Sequence, residues 1–69
     1  MFSNRVREVR EEKGLTQVEL ARICRIASTN LCAIERGKLW PWDRARKRIA
    51  KGLRTPEEEL FPEGDNGDE

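Results

Sequence analysis

Helix starts and stops follow one another so closely in this chain that no helix can run beyond about three turns. Ser3 or Asn4 can cap a first helix, whose Val6 and Val9 are three apart and share a face. Gly14 can end that helix in the left-handed conformation that glycine adopts without steric cost. Thr16-Gln17-Val18-Glu19 reads as a capping box, in which the Thr hydroxyl takes the N3 amide and Glu19 reaches back to the Thr amide. Leu20, Ala21 and Cys24 mark one face of a second helix about two turns long, which gives way at Arg25-Ile26-Ala27. A third helix begins at Ala27 or Ser28, turns Leu31 and Ile34 inward and stops at Gly37. Pro41 disfavours helix at Trp40, so GKLWPWD, residues 37–43, is a loop. A fourth helix runs from about Asp43 to Lys51. Ala45, Ile49 and Leu53 keep its apolar spacing, and Gly52 marks its end. Thr55-Pro56-Glu57-Glu58 reads as a second capping box with Pro at the first helical position. It opens one or two turns that place Leu60 and Phe61, and Pro62 stops them.

No stretch alternates β-branched with polar residues, so the reading is all-α: a compact bundle of five short helices. Its expected core is Val6, Val9, Leu15, Leu20, Ala21, Cys24, Ile26, Leu31, Ile34, Ala45, Ile49, Leu53, Leu60 and Phe61. A chain of 69 residues can bury one modest core, hence one small domain over residues 1–62. Residues 63–69, EGDNGDE, carry no apolar side chain and are expected to form a disordered acidic tail.

The formal net charge is only +1, which taken alone argues against a polyanionic partner. Its distribution argues the opposite. All 14 Lys and Arg lie in residues 1–54 beside six acids, leaving that segment at +8. Residues 55–69 hold the other seven acids and no base, so they stand at −7. With no histidine, Ser-His-Asp triads, His-Cys dyads and most zinc sites are excluded, and no metal or cofactor is expected. Cys24 and Cys32 are eight apart with no other soft ligand near, which suits neither a metal site nor a disulfide scaffold. MFSNRVREVREEK has no apolar core of a signal peptide, and no apolar run approaches the roughly 20 residues that span a bilayer. A reduced, cytoplasmic protein without membrane contact is the expectation.

The stretch from Leu15 to Pro41, LTQVELARICRIASTNLCAIERGKLWP, sets two short helices around a tight turn, as a helix-turn-helix requires. Arg5 to Glu8, Arg10, Lys13 to Gln17, Glu19 to Ala21 and Ile34 to Gly37 resemble the Cro/repressor (XRE) helix-turn-helix family. Ile49-Ala50, Leu53 and Glu59 to Phe61 fit that family's last two helices, so the likeness covers residues 4–61. It implies a lambda-repressor-like DNA-binding fold with helices 2 and 3 forming the motif. Two positions depart from the pattern. Arg25 stands where the family usually has Gly, and Ala27 where it usually has Ser at the N-cap. A left-handed Arg25 costs about 1 kcal/mol. Either the turn takes another shape or Ser28 takes over the cap, and either would rotate the start of the third helix.

The longest uncharged run, Ile26 to Ile34, coincides with the recognition helix, and Arg22, Arg25, Arg36 and Lys38 flank it. That suits phosphates neutralised at the rim and bases read in the middle. The resemblance turns Ser28, Thr29, Asn30 and Ala33 outward as base contacts. Asn30 can pair with adenine, Thr29 and Ala33 can pack on a thymine methyl, and Ser28 is ambiguous between bases. No Lys or Arg stands there, so strong guanine readout is not expected. Gln17 is either a phosphate contact, as in the family, or a plain surface residue. Arg25, Arg36, Lys38 and Arg44 are the remaining phosphate candidates. The run Arg44, Arg46, Lys47, Arg48, Lys51 also reads as a solvated face whose first members can reach the backbone. The family's partly buried ion pair falls on Arg10 and Glu35, a structural role. Cys24 takes the place of a core aliphatic, and Cys32 lies beside the DNA-facing side. Trp40 and Trp42 flank Pro41, and either both pack within the chain or an exposed one is a dimer contact.

Taken together, these features describe a sequence-specific transcriptional regulator of the repressor type. It would bind double-stranded operator DNA as a homodimer over an inverted repeat, with dimerisation coming from the same domain and arising only on DNA or before it. No small-molecule ligand is implied. The competing class is a protein-interaction module, such as an antitoxin or anti-repressor partner, using the acidic tail and the Trp pair. An enzyme lacks a coherent nucleophile–base pair.

Overall fold

The structure, a computed structural model, describes residues 3–62. Five helices follow in chain order: α1 (Val6–Glu12), α2 (Gln17–Cys24), α3 (Ser28–Glu35), α4 (Asp43–Leu53) and α5 (Glu57–Leu60). The expected acidic tail lies outside the described residues.

The local signals act largely as their chemistry dictates. The Asn4 side-chain oxygen accepts from the Val6 amide at 3.0 Å, and its amide donates to the Ile34 carbonyl at 2.8 Å. One residue thus starts α1 and ties it to the end of α3. Gly14 has φ +74° and Gly37 φ +76°, the left-handed region where a glycine avoids the Cβ clash. At Thr16 the capping box is complete: the Glu19 amide donates to Thr16 Oγ1 at 3.1 Å, and the Thr16 amide donates to Glu19 Oε1 at 2.8 Å.

Three expectations are corrected. Gly52 lies inside α4, which continues to Leu53 and ends on a left-handed Arg54. Its role is close approach, since a Cβ there would meet Ile23 Cγ2 at 3.0 Å and Cys24 Sγ at 3.2 Å. The second capping box does not form: Thr55 Oγ1 donates to the Leu53 carbonyl at 2.9 Å, and Pro56 precedes α5 without a side-chain cap. Finally, neither escape foreseen for the α2–α3 turn is taken. Arg25 adopts the left-handed conformation (φ +59°, ψ +45°), and Ala27 precedes α3 with no side-chain cap from Ser28. The turn keeps its shape and carries the strain.

Packing of α2 against α3 and of α4 against α1, α2 and α5 buries, among the described residues, thirteen hydrophobic side chains at expected core positions, together with Pro41. Leu15 is the exception, only partly buried at the edge. At about 1.5–3 kcal/mol for each fully buried large aliphatic or Phe, this core supplies the main drive for folding. α5 is joined back to the start of the chain by the Arg5 amide, which donates to the Leu60 carbonyl at 2.8 Å. No helix among the described residues is long and apolar enough to cross a membrane.

Candidate nucleic-acid interface

The spacing of α3 decides which residues face out. Leu31 and Ile34 are fully buried, so Thr29 and Ala33, four apart on the opposite side, form its outer ridge, with Cys32 alongside and Arg36 just past its C-terminal end. Ser28 and Thr29 are exposed, while Asn30 and Ala33 are half-buried. Of the four expected base contacts, Thr29 and Ala33 thus stand on the ridge. Ser28 opens the helix, and Asn30 lies on its flank between ridge and core. Cys32 shares the outer side more fully than its sequence position suggested. The turn-by-turn angle from Leu31 and Ile34 carries that signal.

Beneath the ridge, one network holds α3 to the rest of the domain. The Arg10 guanidinium grips Glu35 with two hydrogen bonds, Nε to Oε2 at 2.8 Å and Nη2 to Oε1 at 3.2 Å. Its third donor, Nη1, reaches the Leu15 carbonyl at 2.8 Å. Gln17 Nε2 donates to Glu35 Oε1 at 3.1 Å. The Glu35 side chain is only 3% exposed and that of Arg10 10%. Hydrogen bonding to Glu35 raises the guanidinium pKa above its ordinary value, against the opposing effect of burial. Three helices therefore meet on one carboxylate, which fixes how α3 is presented.

Gln17 is thus engaged with Glu35 in the unbound chain. It still borders a hollow of about 340 Å³ shared with Arg7, Arg10, Cys32, Glu35 and Arg36. Arg7, which the sequence did not single out, joins the candidate contacts, although it is also paired with Glu11 at 3.2 Å. No sequence signal separates Arg7 from Arg5; only the fold sets it beside Gln17.

The loop between α3 and α4 is pinned by Arg46. Its Nη1 donates to the Pro41 carbonyl at 2.8 Å and its Nη2 to Asp43 at 2.9 Å. Its Nε lies 3.5 Å from Glu57, and its guanidinium carbon sits 5.5 Å from the centre of the Trp40 ring. With its side chain 15% exposed, Arg46 is not part of a solvated face as its neighbours in the run suggested. Trp40 in turn meets Phe61 edge to face at 5.8 Å, covering the core. Trp42 is 46% exposed. The two tryptophans, equivalent in sequence, are thus divided between packing and surface.

Arg25, Arg36, Lys38 and Arg44 are all exposed, and none is in an ion pair among the described residues. The acids pair elsewhere: Glu8 with Arg5, Glu11 with Arg7, and Asp43 with Arg46 and Lys47. The Lys47 and Arg5 contacts hold the Asp43 and Glu8 carboxyls below the usual range. Cations flanking an uncharged ridge are left without internal partners. Among the described residues no group of His, Cys, Asp and Glu can hold a metal ion, and both cysteines are free thiols.

A short helix locked across a second one by a tight turn, its outer ridge open and its rim cationic, defines a helix-turn-helix DNA-binding domain. A helix-turn-helix domain family model matches residues 2–61, and the chain belongs to this family of XRE/Cro-like domains. No curated protein matches the sequence.

Proposed function

We propose that the chain is a sequence-specific transcriptional regulator, a repressor that reads an inverted repeat as a dimer. The observation that carries this reading is the coincidence of α3's uncharged outer ridge with unpaired cations on both sides. Thr29, Asn30, Ala33 and Ser28 contact base edges and methyl groups, while Gln17, Arg25, Arg36, Lys38 and Arg44 neutralise phosphates. Two such helices entering successive major grooves stand about 34 Å apart. Trp42, exposed on the loop before α4, is the dimer contact in this reading. On binding, Gln17 keeps one amide hydrogen on Glu35 and offers the other to a phosphate oxygen.

Selection of bound sequences from a random duplex pool tests the proposal. The expected result is a two-fold symmetric consensus with half-sites about 10 base pairs apart, centre to centre. An enriched pool without symmetry rejects the dimer. Failure to retain any duplex at 50 mM salt rejects DNA binding as the function.

A further inference from the structure

A second concentration of positive charge lies away from the outer ridge of α3. The C-terminal ends of α2 and α4 enclose an open cleft of about 580 Å³, lined by Arg25, Arg48, Lys51 and Arg54 over Ile23 and Gly52. No carboxylate lines it, and none of its four cations is in an ion pair among the described residues. All four are exposed. Gly52, where α4 passes close to α2, lines the cleft together with Ile23, which is 52% exposed.

The backbone supplies an independent observation. Arg25 and Arg54 are the only non-glycine residues with positive φ among the described residues, +59° and +53°. Each ends a helix, and both border this one cleft. Glycine would end either helix without the steric cost. A helix C-terminus favours one nearby cation, which accounts for Arg25 or Arg54 singly. It does not account for Arg48, more than a turn before the end of α4, nor for four like charges facing one space.

We propose that this cleft seats the phosphate backbone of duplex DNA flanking the segment that α3 reads. The inference rests on the DNA-binding reading and adds a contact surface to it. Arg25 makes the two surfaces continuous, since it lies three residues before Ser28, the first residue of α3. Three of the four cations are arginines, whose planar forks match phosphate oxygens in pairs. The cleft is open to solvent and not an enclosed cavity, which suits a backbone lying against it better than a buried small molecule. Together the arrangement lengthens the electrostatic footprint without adding any base contact.

The test uses the full chain and the triple variant Arg48→Gln, Lys51→Gln, Arg54→Gln, with Lys13→Gln as an exposed charge control outside the cleft. Binding is followed by fluorescence anisotropy from 50 to 200 mM salt, on a duplex trimmed to the selected site and on one extended by ten base pairs at each end. Each lost phosphate contact lowers the log–log salt slope by about 0.9. The parent should therefore lose about 10–40-fold more affinity than the triple variant over this range on the extended duplex, for two to three contacts. On the trimmed duplex the two should agree, and the selected consensus should be unchanged. Matching circular dichroism and unfolding midpoints establish that the variant is folded. Equal slopes on the extended duplex overturn the proposal. So does binding of inorganic tripolyphosphate that needs the cleft cations while duplex binding does not. If the parent binds no duplex at all, the DNA-binding reading itself falls.

Discussion

Arg10→Ala tests what holds the recognition helix in place. The substitution removes the guanidinium that compensates Glu35 and leaves the carboxylate with Gln17 Nε2, a neutral donor at 3.1 Å. Water cannot take over freely, because the Glu35 side chain is only 3% exposed. The Leu15 carbonyl loses its 2.8 Å donor in the same step. Stranding one partner of a buried pair costs about 3–5 kcal/mol. A chain of 69 residues has a total stability of roughly 3–10 kcal/mol. The variant should be near the edge of folding, with its thermal midpoint lowered by at least about 12 °C at roughly 4–8 °C per kcal/mol.

The companion variant Arg10→Met/Glu35→Leu removes both charges and strands neither. It should lie within about 2 kcal/mol of the parent, because an apolar pair of similar volume often replaces a buried ion pair at little cost. Urea denaturation followed by circular dichroism at 222 nm measures both, and the thermodynamic cycle closed by the singles Arg10→Met and Glu35→Leu gives the coupling. The expected coupling is at least about 4 kcal/mol, the excess of two singles at about 3–5 kcal/mol each over a double within about 2 kcal/mol of the parent. If Arg10→Ala costs under about 1 kcal/mol, or the double variant loses the sum of the singles, the pair behaves as a surface pair. The claim that it positions α3 would then fail.

Four further outcomes follow from single contacts. Arg25→Gly should stabilise the fold by about 0.5–1 kcal/mol in urea, by relieving the left-handed strain, while weakening duplex binding at low salt. Gly52→Ala should destabilise by about 1 kcal/mol, since crowding against Ile23 and Cys24 outweighs the gain in helix propensity. Added to Ile23→Ala, which removes the nearest obstructing atom, the same change should do little harm. Burial pushes the Cys24 thiol up to about 11, with the Arg48 charge opposing. The unfolded chain deprotonates near pH 8.5–9, so the stability from this thiol is intact below that pH and is lost as pH rises toward 11. Comparison with Cys24→Ala by urea titration should isolate a decline of at most about 2–3 kcal/mol, and parallel curves would refute it. In DNA binding, Asn30→Ala should cost about 1–3 kcal/mol and relax preference at one base position. A uniform loss across all sequences would place Asn30 among phosphate contacts, and no loss would place it outside the interface.

Much of the fold was legible because its signals are local. The Thr16–Glu19 box needs only residues three apart, and Gly14 and Gly37 act through their own φ angles. The apolar spacing identified buried positions without knowledge of their partners. What escaped the sequence depends on contacts between distant segments. Gly52 looks like a terminator until α2 is laid against it. Arg46 reads as one cation in a run until Pro41, Asp43, Glu57 and Trp40 converge on it. Thr55 has the residues of a cap but finds the Leu53 carbonyl first. At the interface, Thr29 and Ala33 were expected from the family resemblance, and the burial of Leu31 and Ile34 leaves both on the outer side of α3, whereas Arg7 beside Gln17 required the crossing of α1 and α2.

The near-neutral total charge has a structural explanation in where the acids are used. Glu11 and Asp43 each neutralise a cation within their own helix, Glu8 pairs with Arg5 just before α1, and Glu35 is spent inside the domain on Arg10. Glu57 faces Arg46 across the α4–α5 junction. None of these pairs involves Arg22, Arg25, Arg36, Lys38, Arg48 or Arg54. Screening limits surface charges to an effective reach of about 8–10 Å at physiological salt. An approaching phosphate therefore responds to these local cations and not to the sum over the chain. Moving one carboxylate from α1 to α2 would leave the net charge at +1 and still weaken the field where DNA is proposed to bind. The distribution of acids is consequently as much a part of the interface as the cations themselves.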